Sequence, residues 1–326
     1  MIKFRHGCRM GTLVGGGLLL GSLMMAQWSA AASYYVAPDG NDSNSGTIDR
    51  PYRTVKAGAR ALAPGDTLYI RGGTYGESLF DAIPGGTSDK PVTVKAYRGE
   101  RVTLRVQDSP NGVLYFRASS SQHIVIDGLS LDAANSPTAV VYIEGDARHI
   151  RLVNCELMNS SFVGLYGGQD SEFKNLNVHH NGVTDFGHGL YLWGSNNLVT
   201  GSEIHDNAGW GVHISTGTGS GADNNVVRDN EIHENAQAGG RGNGVLLSSG
   251  TGNVAQGNDI WGNQGGVDVD YGSSGAQVSN NEIYDNRQYG IYIGAGSQGT
   301  EVRDNDIHDN SGPDIIDNGS ASSINR

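Results

Sequence analysis

A six-residue phrase recurs five times in the second half of the chain, and its regular return constrains the fold more than any other feature. The copies are SEIHDN at 202–207, NEIHEN at 230–235, NDIWGN at 258–263, NEIYDN at 281–286 and NDIHDN at 305–310, with a looser LNVHHN at 176–181. Their central apolar residues are Val178, Ile204, Ile232, Ile260, Ile283 and Ile307, so the intervals are 26, 28, 28, 23 and 24 residues. A period of this length is typical of a solenoid of stacked coils.

Short runs of alternating apolar residues, separated by turns, make up the coils. They include residues 102–106, 112–116, 123–128, 139–145 and 149–154. Nothing between residues 90 and 310 has the period of an amphipathic helix. A coil of about 20 to 28 residues suits three strands with their turns. The sequence therefore predicts an all-β, single-stranded parallel β-helix.

The residues ahead of the repeats predict a cap. Residues 33–75 read as a strand, a polar loop, an amphipathic helix from about Thr54 to Leu62, and a further strand. A short helix here can cover the first coil, whose backbone and apolar interior would otherwise be open. We expect this cap and first coil to continue into repeated coils over 90–310, all in one domain spanning 33–326.

The first 32 residues predict a secretion signal. Three basic residues precede an apolar core from Gly11 to Met25, and Ala30-Ala31-Ala32 offers small residues for cleavage. No later stretch is apolar over a length that could span a membrane. We therefore expect residues 1–32 to be removed and the mature protein to be secreted or periplasmic.

The charge balance indicates which partners the protein can bind, and the cysteine count indicates whether it can form a disulfide. Without the signal, 34 acidic residues face 22 − 3 = 19 basic ones, a net charge of −15. So acidic a chain is repelled by phosphate backbones, and we expect no nucleic-acid partner. Cys155 would then be the remaining cysteine, which leaves no intrachain disulfide. The expected state is a monomer.

Asparagines stand at two fixed places around the motif isoleucine. They lie two positions before it at Asn230, Asn258, Asn281 and Asn305, and three positions after it at Asn181, Asn207, Asn235, Asn263, Asn286 and Asn310. Asparagine tolerates left-handed backbone, and its amide can bond the neighbouring turn. The two sets predict ladders that hold successive corners in register.

A column of rings follows the same isoleucine. Its members are His179, His205, His233, Trp261, Tyr284 and His308, and an acid stands before most of the isoleucines. The spacing follows from the repeat itself, so a structural role is favoured over a zinc site. Histidines paired with these acids would have raised pKa values, and the protein would then lose stability as the pH rises through them.

A second phrase, glycine–apolar–x–apolar, marks another strand of each coil. Strand alternation points its variable residue outward and predicts one exposed column: Tyr166, Tyr191, His213, Leu246, Asp268 and Tyr292. Two residues further on, a neighbouring column contains Trp193 and Asp270. An open strip of aromatic and polar side chains, one per strand, suits an extended polymer.

The opening YYVAPDGNDSNSGT…PYRTVKAGARALAPGDTLYIRGGTY resembles the N-terminal cap of a known group, the secreted right-handed parallel β-helix (pectin-lyase-like) carbohydrate-active proteins. This group includes polysaccharide lyases and mannuronan epimerases. The resemblance implies a right-handed helix, an acidic polysaccharide as partner, chemistry at the uronate α-carbon, and frequent use of Ca²⁺. Asp185-Phe186-Gly187-His188 is similar to the Asp-Pro-His signature of the epimerases, with one extra residue and no proline.

These residues suggest a catalytic group. Removing the proton beside a uronate carboxylate needs a base, a cation for the carboxylate and a donor for the leaving oxygen. We assign these roles to His188, Arg241 and Tyr191, with Asp185 orienting the imidazole and His213 beside it in the next coil. The substrate-binding residues predicted on this face are Trp193, Tyr166, Tyr292 and Asp268.

Asp268 and Asp270 flank one inward residue, so their carboxylates should lie on one face about 7 Å apart by strand rise. Such a pair predicts a Ca²⁺ site that would also bridge an acidic protein to an acidic polymer. Two other functions stay open. The same pair could act as acid and base of a glycoside hydrolase, or the protein could be a noncatalytic glycan-binding or cell-surface β-helix.

Overall fold

The structure is a computed structural model that describes residues 30–107, 112–216 and 221–325. The expected signal sequence, up to residue 29, lies outside the described residues. The remainder winds into a right-handed parallel β-helix of about ten coils, which confirms the predicted fold. Among the described residues, no helix has the length and apolar character needed to cross a membrane.

Each coil contributes one strand to each of three parallel sheets. Sheet A contains β1 (Ser33–Val36), β2 (Thr67–Ile70), β5 (Val92–Ala96), β8 (Gln122–Asp127), β11 (Arg148–Val153), β14 (Glu172–Lys174), β17 (Leu198–Thr200), β20 (Val226–Arg228), β23 (Val254–Gln256), β26 (Gln277–Ser279), β29 (Glu301–Arg303) and β32 (Ser323–Asn325). Sheet B contains β4 (Leu79–Phe80), β7 (Leu114–Phe116), β10 (Val141–Ile143), β13 (Leu165–Gly167), β16 (Leu190–Leu192), β19 (Val212–Ser215), β22 (Val245–Ser248), β25 (Val267–Asp270), β28 (Ile291–Ile293) and β31 (Ile315–Asp317). Sheet C contains β3 (Gly73–Gly76), β6 (Val102–Arg105), β9 (Ser130–Asp132), β12 (Glu156–Met158), β15 (Asn177–His179), β18 (Glu203–His205), β21 (Glu231–His233), β24 (Asp259–Trp261), β27 (Glu282–Tyr284) and β30 (Asp306–His308).

The core is a continuous apolar column inside the coils. The motif residues Val178, Ile204, Ile232, Ile260 and Ile283 are fully buried and paired in register on sheet C. Ile307, in the last of these coils, is only partly buried. Strand alternation therefore directs the repeat as the sequence predicts, because every second side chain of a strand points inward.

Both predicted asparagine ladders are present. Asn207 shows the pattern: its Oδ1 accepts from the backbone and side-chain nitrogens of Asn181, at 3.1 and 3.0 Å, while its Nδ2 donates to the carbonyl of Val178 at 3.0 Å. A third ladder, which the sequence reasoning missed, runs from Ser171 through Asn197 and Asn225 to Asn253. These bonds satisfy the buried backbone groups of the corners, which strand pairing leaves free.

The asparagine ladder explains the glycine of the second phrase. A Cβ built on Gly189 would lie 2.6 Å from the Gly211 carbonyl oxygen, 2.7 Å from Ile204 and 3.0 Å from the Asn207 amide. There is no room for a side chain where the corner meets sheet B. The residue before each such glycine therefore stands at the edge of this sheet.

A helix, α1 (Val55–Arg60), packs against β1 and β2 and is shorter than the predicted Thr54–Leu62. Thr54 caps it, since its Oγ1 accepts from the Ala57 amide at 3.1 Å. Val55 and Ala59 are fully buried. No other helix occurs in the described parts of the chain.

Candidate active site

The outward column of sheet B is continuous. Strand register aligns Phe80, Tyr115, Tyr142, Tyr166, Tyr191, His213, Leu246, Asp268, Tyr292 and Ile316. The predicted column is therefore in register, but not all of it is exposed. Leu246 and Asp268 are only 2% and 9% exposed. A cavity forms above them because residues 240–243, in a glycine-rich insertion, fold over this part of the sheet.

Four rings pack together where the column changes from tyrosine to histidine. His213 stacks on Tyr191 with ring centroids 4.6 Å apart, and His188 lies 5.0 Å from His213 and 4.8 Å from Trp210. His188 is 2% exposed. The predicted His188, Tyr191 and His213 are thus in contact, with Trp210 as an additional member.

Hydrogen bonds fix the protonation of this cluster. The backbone amide of Trp210 donates to Nδ1 of His188 at 3.3 Å, so that nitrogen must be unprotonated. Nε2 of His188 then carries the proton and donates to Nδ1 of His213, also at 3.3 Å. Burial holds the pKa of His188 well below its usual range and lowers the pKa of His213 to about 4. Both imidazoles are neutral at neutral pH, and His213 is left with an N–H on Nε2.

Two predicted roles do not fit this geometry. The prediction that Asp185 orients His188 is wrong, because both nitrogens of His188 are bonded to Trp210 and His213 instead. Asp185 packs against the insertion, where a Cβ built on Gly240 would lie 3.0 Å from its own Cβ. His188 also lacks the free lone pair that a general base needs, because Nδ1 accepts from the Trp210 amide and Nε2 carries a proton.

A second cluster lines a cavity of about 340 Å³ next to Trp210. Asp268 lies within it, and the Asn243 amide donates to Asp268 Oδ2 and, at 3.4 Å, to the Tyr289 hydroxyl. Asp268 Oδ1 and Trp210 Nε1 are sealed from solvent without a hydrogen-bond partner among the described residues. The cavity thus holds one carboxyl oxygen and one indole N–H that have no hydrogen-bond partner among the described residues.

Burial makes the Asp268 carboxyl an unusually weak acid. It raises the pKa of Asp268 to about 7, helped by the charge of Asp270 and opposed by the Tyr289 hydroxyl and the Asn243 amide. Burial, together with the carboxylate of Asp268, raises the pKa of Tyr289 far above its usual range. A perturbed acid in a cleft is a typical sign of a functional site.

The rim carries the remaining predicted residues. Arg241 is exposed and lines the cavity together with Asp270 and Tyr292. Tyr292 packs against Tyr289 with ring centroids 5.5 Å apart. Arg241 thus lines the same cavity as Asp268, whereas His188 does not line it.

Tyr166 and Trp193 lie further along the outward face of sheet B, which we call the groove. Their rings are 6.2 Å apart, and Tyr166 is four strands from Asp268 in the column. They therefore belong to the approach to the site and do not line the cavity.

The aspartate pair by itself supplies at most four carboxylate oxygens to a calcium ion. Calcium takes six to eight oxygen ligands. Asp268 Oδ2 already accepts from Asn243, and Asp270 Oδ1 accepts from the Tyr271 amide at 2.7 Å. Within the described ranges, no three His, Cys, Asp or Glu residues are grouped to hold a metal ion.

Three residues of the site escaped the sequence reasoning: Trp210, Asn243 and Tyr289. Each stands directly before the glycine of the second phrase, as His188 does. Backbone bonds from that glycine to the next coil align these residues in their own column at the sheet edge. A polar or aromatic residue before four of the six phrase glycines was the available signal.

Two family descriptions match the chain. One, a right-handed β-helix region, matches residues 161–326, just over half of the sequence. The chain belongs to the right-handed β-helix family. The other, a Pel9A-like right-handed β-helix region, matches residues 34–182. The cap and first coils thus match one description, and most coils of the candidate site match the other.

The chain is similar in sequence to pectate lyases and in fold to a pectate lyase and a mannuronan C-5 epimerase. Pectate lyase PEL9 of Emericella nidulans is 29% identical over 180 residues, which are 54% of this chain and 40% of that protein. The solved pectate lyase Pel9A gives a TM-score of 0.63 at 19% identity, covering 89% of this chain and 80% of that one. The A-module of a mannuronan C-5 epimerase from Azotobacter vinelandii gives 0.62 at 18% identity, covering 80% and 74%. The first curated relatives are matched over 27% to 41% of their own length, and the structural likenesses show the fold alone.

Proposed function

We propose that this protein is an exported enzyme that acts on an acidic polysaccharide, by β-elimination or C-5 epimerisation, in the groove of sheet B. The observation that carries the proposal is Asp268, a buried carboxyl whose pKa is raised to about 7, in a cavity with Arg241 at its rim. The sequence similarity to pectate lyases supports this class of substrate.

Both reactions begin when a base removes the proton from the carbon beside the uronate carboxylate. We assign the base to Asp268 in place of His188. A carboxylate with a pKa near 7 is a stronger base than an ordinary one and is still substantially ionised at neutral pH. Arg241 would pair with the substrate carboxylate, where a guanidinium can make two parallel hydrogen bonds and stabilise the charge that develops.

The two reactions differ in their second step. In elimination the electron pair forms a carbon–carbon double bond, the glycosidic bond breaks, and the leaving oxygen takes a proton. We assign that proton to the Tyr289 hydroxyl, which lines the cavity and is protonated at neutral pH. In epimerisation the same carbon is reprotonated on its other face. His213 presents an N–H to the groove in either case and would bind a sugar oxygen.

The test is turnover of alginate, polygalacturonate and sulfated uronic-acid glycans by the mature protein. Elimination produces the ultraviolet absorbance of an unsaturated uronate, and epimerisation in D₂O incorporates deuterium at C5 without cleaving the chain. Asp268→Asn should lose about 100-fold or more of kcat/KM, the range of general base catalysis. Asp304→Asn, which changes an exposed acid, is the matched control. Full activity of Asp268→Asn, or no product from any polymer, would overturn the proposal.

Hydrolysis is the second candidate, favoured by the same residue. A carboxyl that stays protonated near pH 7 can act as the general acid of a glycosidase. Asp270 is the other carboxylate of the cavity, but it follows on the same strand, whereas the two carboxyls should flank the bond. New reducing ends without ultraviolet absorbance would select this function. Binding of a polymer without any product would select a noncatalytic glycan-binding protein.

A further inference from the structure

We infer that the groove holds a second glycan-binding subsite, built from Tyr115, Tyr142, Phe162 and Tyr166, which grips the polymer far from the candidate catalytic cavity. The inference rests on the proposed function, because it concerns the same polymer. Five strand spacings separate Tyr142 from Asp268 in the aligned column. At roughly 4.8 Å per strand this is about 24 Å.

The subsite is a cavity of its own. It measures about 430 Å³ and is lined by Tyr115, Thr138, Tyr142, Glu144, Phe162 and Tyr166. Phe162 comes from the corner ahead of β13 and packs against Tyr166, with ring centroids 5.8 Å apart. The C–H faces of a sugar ring pack on aromatic rings, and a pocket with aromatic walls and a few polar groups is typical of a binding site.

Tyr115 stacks on Phe80 with ring centroids 4.4 Å apart, but the rings that follow it in the column are tilted against one another. Successive planes turn by 41° from Tyr115 to Tyr142, by 57° to Tyr166 and by 79° to Tyr191. On sheet C the rings from His205 to His308 are nearly parallel, with angles of 6° to 10°, so they cover one another. The sheet C column is a structural stack, whereas Tyr142 and Tyr166 on sheet B are tilted against both of their neighbours and can offer their faces to a ligand.

Because the charges of the subsite cancel, we expect it to contact the faces of the sugar rings and not the carboxylates of the polymer. Glu144 accepts from the Tyr115 hydroxyl and pairs with Arg117 at 3.9 Å, so one acid and one base cancel. Burial and this hydrogen bond raise the pKa of Tyr115 to about 12, which keeps the phenol neutral. The affinity supplied here should therefore persist at high salt, where contacts through Arg241 are screened.

The distance between the subsite and the candidate catalytic cavity should affect which substrates bind well. Tyr191 and His213 bridge the distance between the two cavities in the same column. A long chain lying along the groove can contact both cavities, whereas a short oligosaccharide can contact only one. The KM should therefore depend on chain length.

Calorimetric titration with the preferred polymer tests the inference. The Asp268→Asn background prevents turnover during the measurement. Phe162→Ala and Tyr142→Ala should each weaken polymer binding about tenfold, at low and high salt alike. Tyr69→Ala is the matched control, because Tyr69 belongs to a similar tyrosine cluster with Tyr35 and Tyr97 on sheet A. In the active parent, the same two changes should raise KM for the polymer but leave kcat, and the kinetics of a trisaccharide, unchanged.

The outcomes separate the two proposals. If the parent binds and converts the polymer while Phe162→Ala and Tyr142→Ala bind it equally well, the subsite is overturned and the proposed function stands. If the parent binds no polymer, both are overturned. Phe162 lies outside the strands, so its variant should keep the parent's circular dichroism and melting temperature.

Discussion

Nε2 of His188 lies 3.3 Å from Nδ1 of His213, and the proton between them belongs to His188. The assignment follows because the Trp210 amide already donates to the other nitrogen of His188. Protonating His188 would set two donors against each other at that amide, a cost added to the desolvation of a buried charge. His188 and His213 are therefore a pair of uncharged imidazoles, in which the hydrogen bond from His188 fixes the ring of His213 and leaves the N–H of His213 on Nε2.

The pH dependence of stability should change sign between two variants. Asp268 has a folded pKa of about 7 against an ordinary 3.8, so its contribution is lost as the pH rises across that window. His213 has a folded pKa of about 4 against 6.5, so its contribution is lost as the pH falls from 6.5 to 4. Each effect is about 3 to 4 kcal/mol at 1.36 kcal/mol per pKa unit, and in the parent the two oppose each other.

Relative to the parent, the free energy of unfolding of Asp268→Asn should therefore increase from pH 4 to pH 6.5. That of His213→Gln should decrease over the same range. Urea denaturation at several pH values measures both, and other titrating groups cancel in the comparison. Two variants that follow the parent in parallel would contradict the assigned pKa values.

The pH dependence of the reaction rate should reflect the ionisation of Asp268. If Asp268 is the base, kcat/KM for the polymer should rise about tenfold per pH unit up to about pH 7 and then level off. A pH–rate profile in a buffer series of constant ionic strength tests this. A profile that levels off near pH 4 would point to an unperturbed carboxylate and exclude Asp268 as the base.

Arg241 should matter through the substrate carboxylate. Arg241→Ala should lower kcat/KM for a uronate polymer by about 10- to 100-fold, and Arg241→Lys should restore only part, because lysine cannot form the bidentate pair. Arg287→Ala, at another exposed arginine, is the control. Equal losses on a carboxyl-reduced polymer would show that Arg241 acts in some other way.

Calcium should have little effect on this site. The two carboxylates of Asp268 and Asp270 offer at most four oxygens, fewer than the six to eight that calcium takes. We expect no saturable rise of the melting temperature on adding Ca²⁺, and equal turnover in chelator. A rise that disappears in Asp270→Asn would restore the predicted metal site.

The fold was predictable because the regular spacing of the repeated phrase indicates a solenoid. Each motif isoleucine marks an inward position, and the asparagines on either side mark two corners. The third ladder was harder to see, since Asn197, Asn225 and Asn253 lie outside the repeated phrase and extend over only three coils. A pattern that short does not stand out against the many other asparagines.

The site was predictable only as a column. Period-two alternation aligned Tyr191, His213 and Asp268, but it carries no information about the insertion that buries Asp268. Asp185 was misplaced because nearness in sequence is a poor guide in a solenoid. The groups that bond His188 come from 22 and 25 residues later, which is one coil further on.

Interrupting the asparagine ladder that follows the motif isoleucine by three residues should destabilise the protein. Asn235→Ala removes the acceptor of the Asn207 amide and the donor to the Ile204 carbonyl, now bonded at 3.2 and 2.9 Å. Each buried group left unpaired costs about 1 to 3 kcal/mol, so unfolding should become easier by about 3 kcal/mol or more. Asn318→Ala, at an exposed asparagine of the last coil, should stay within about 0.5 kcal/mol of the parent. Urea denaturation compares them, and an equal, small effect of both changes would show that strand pairing alone holds the coils in register.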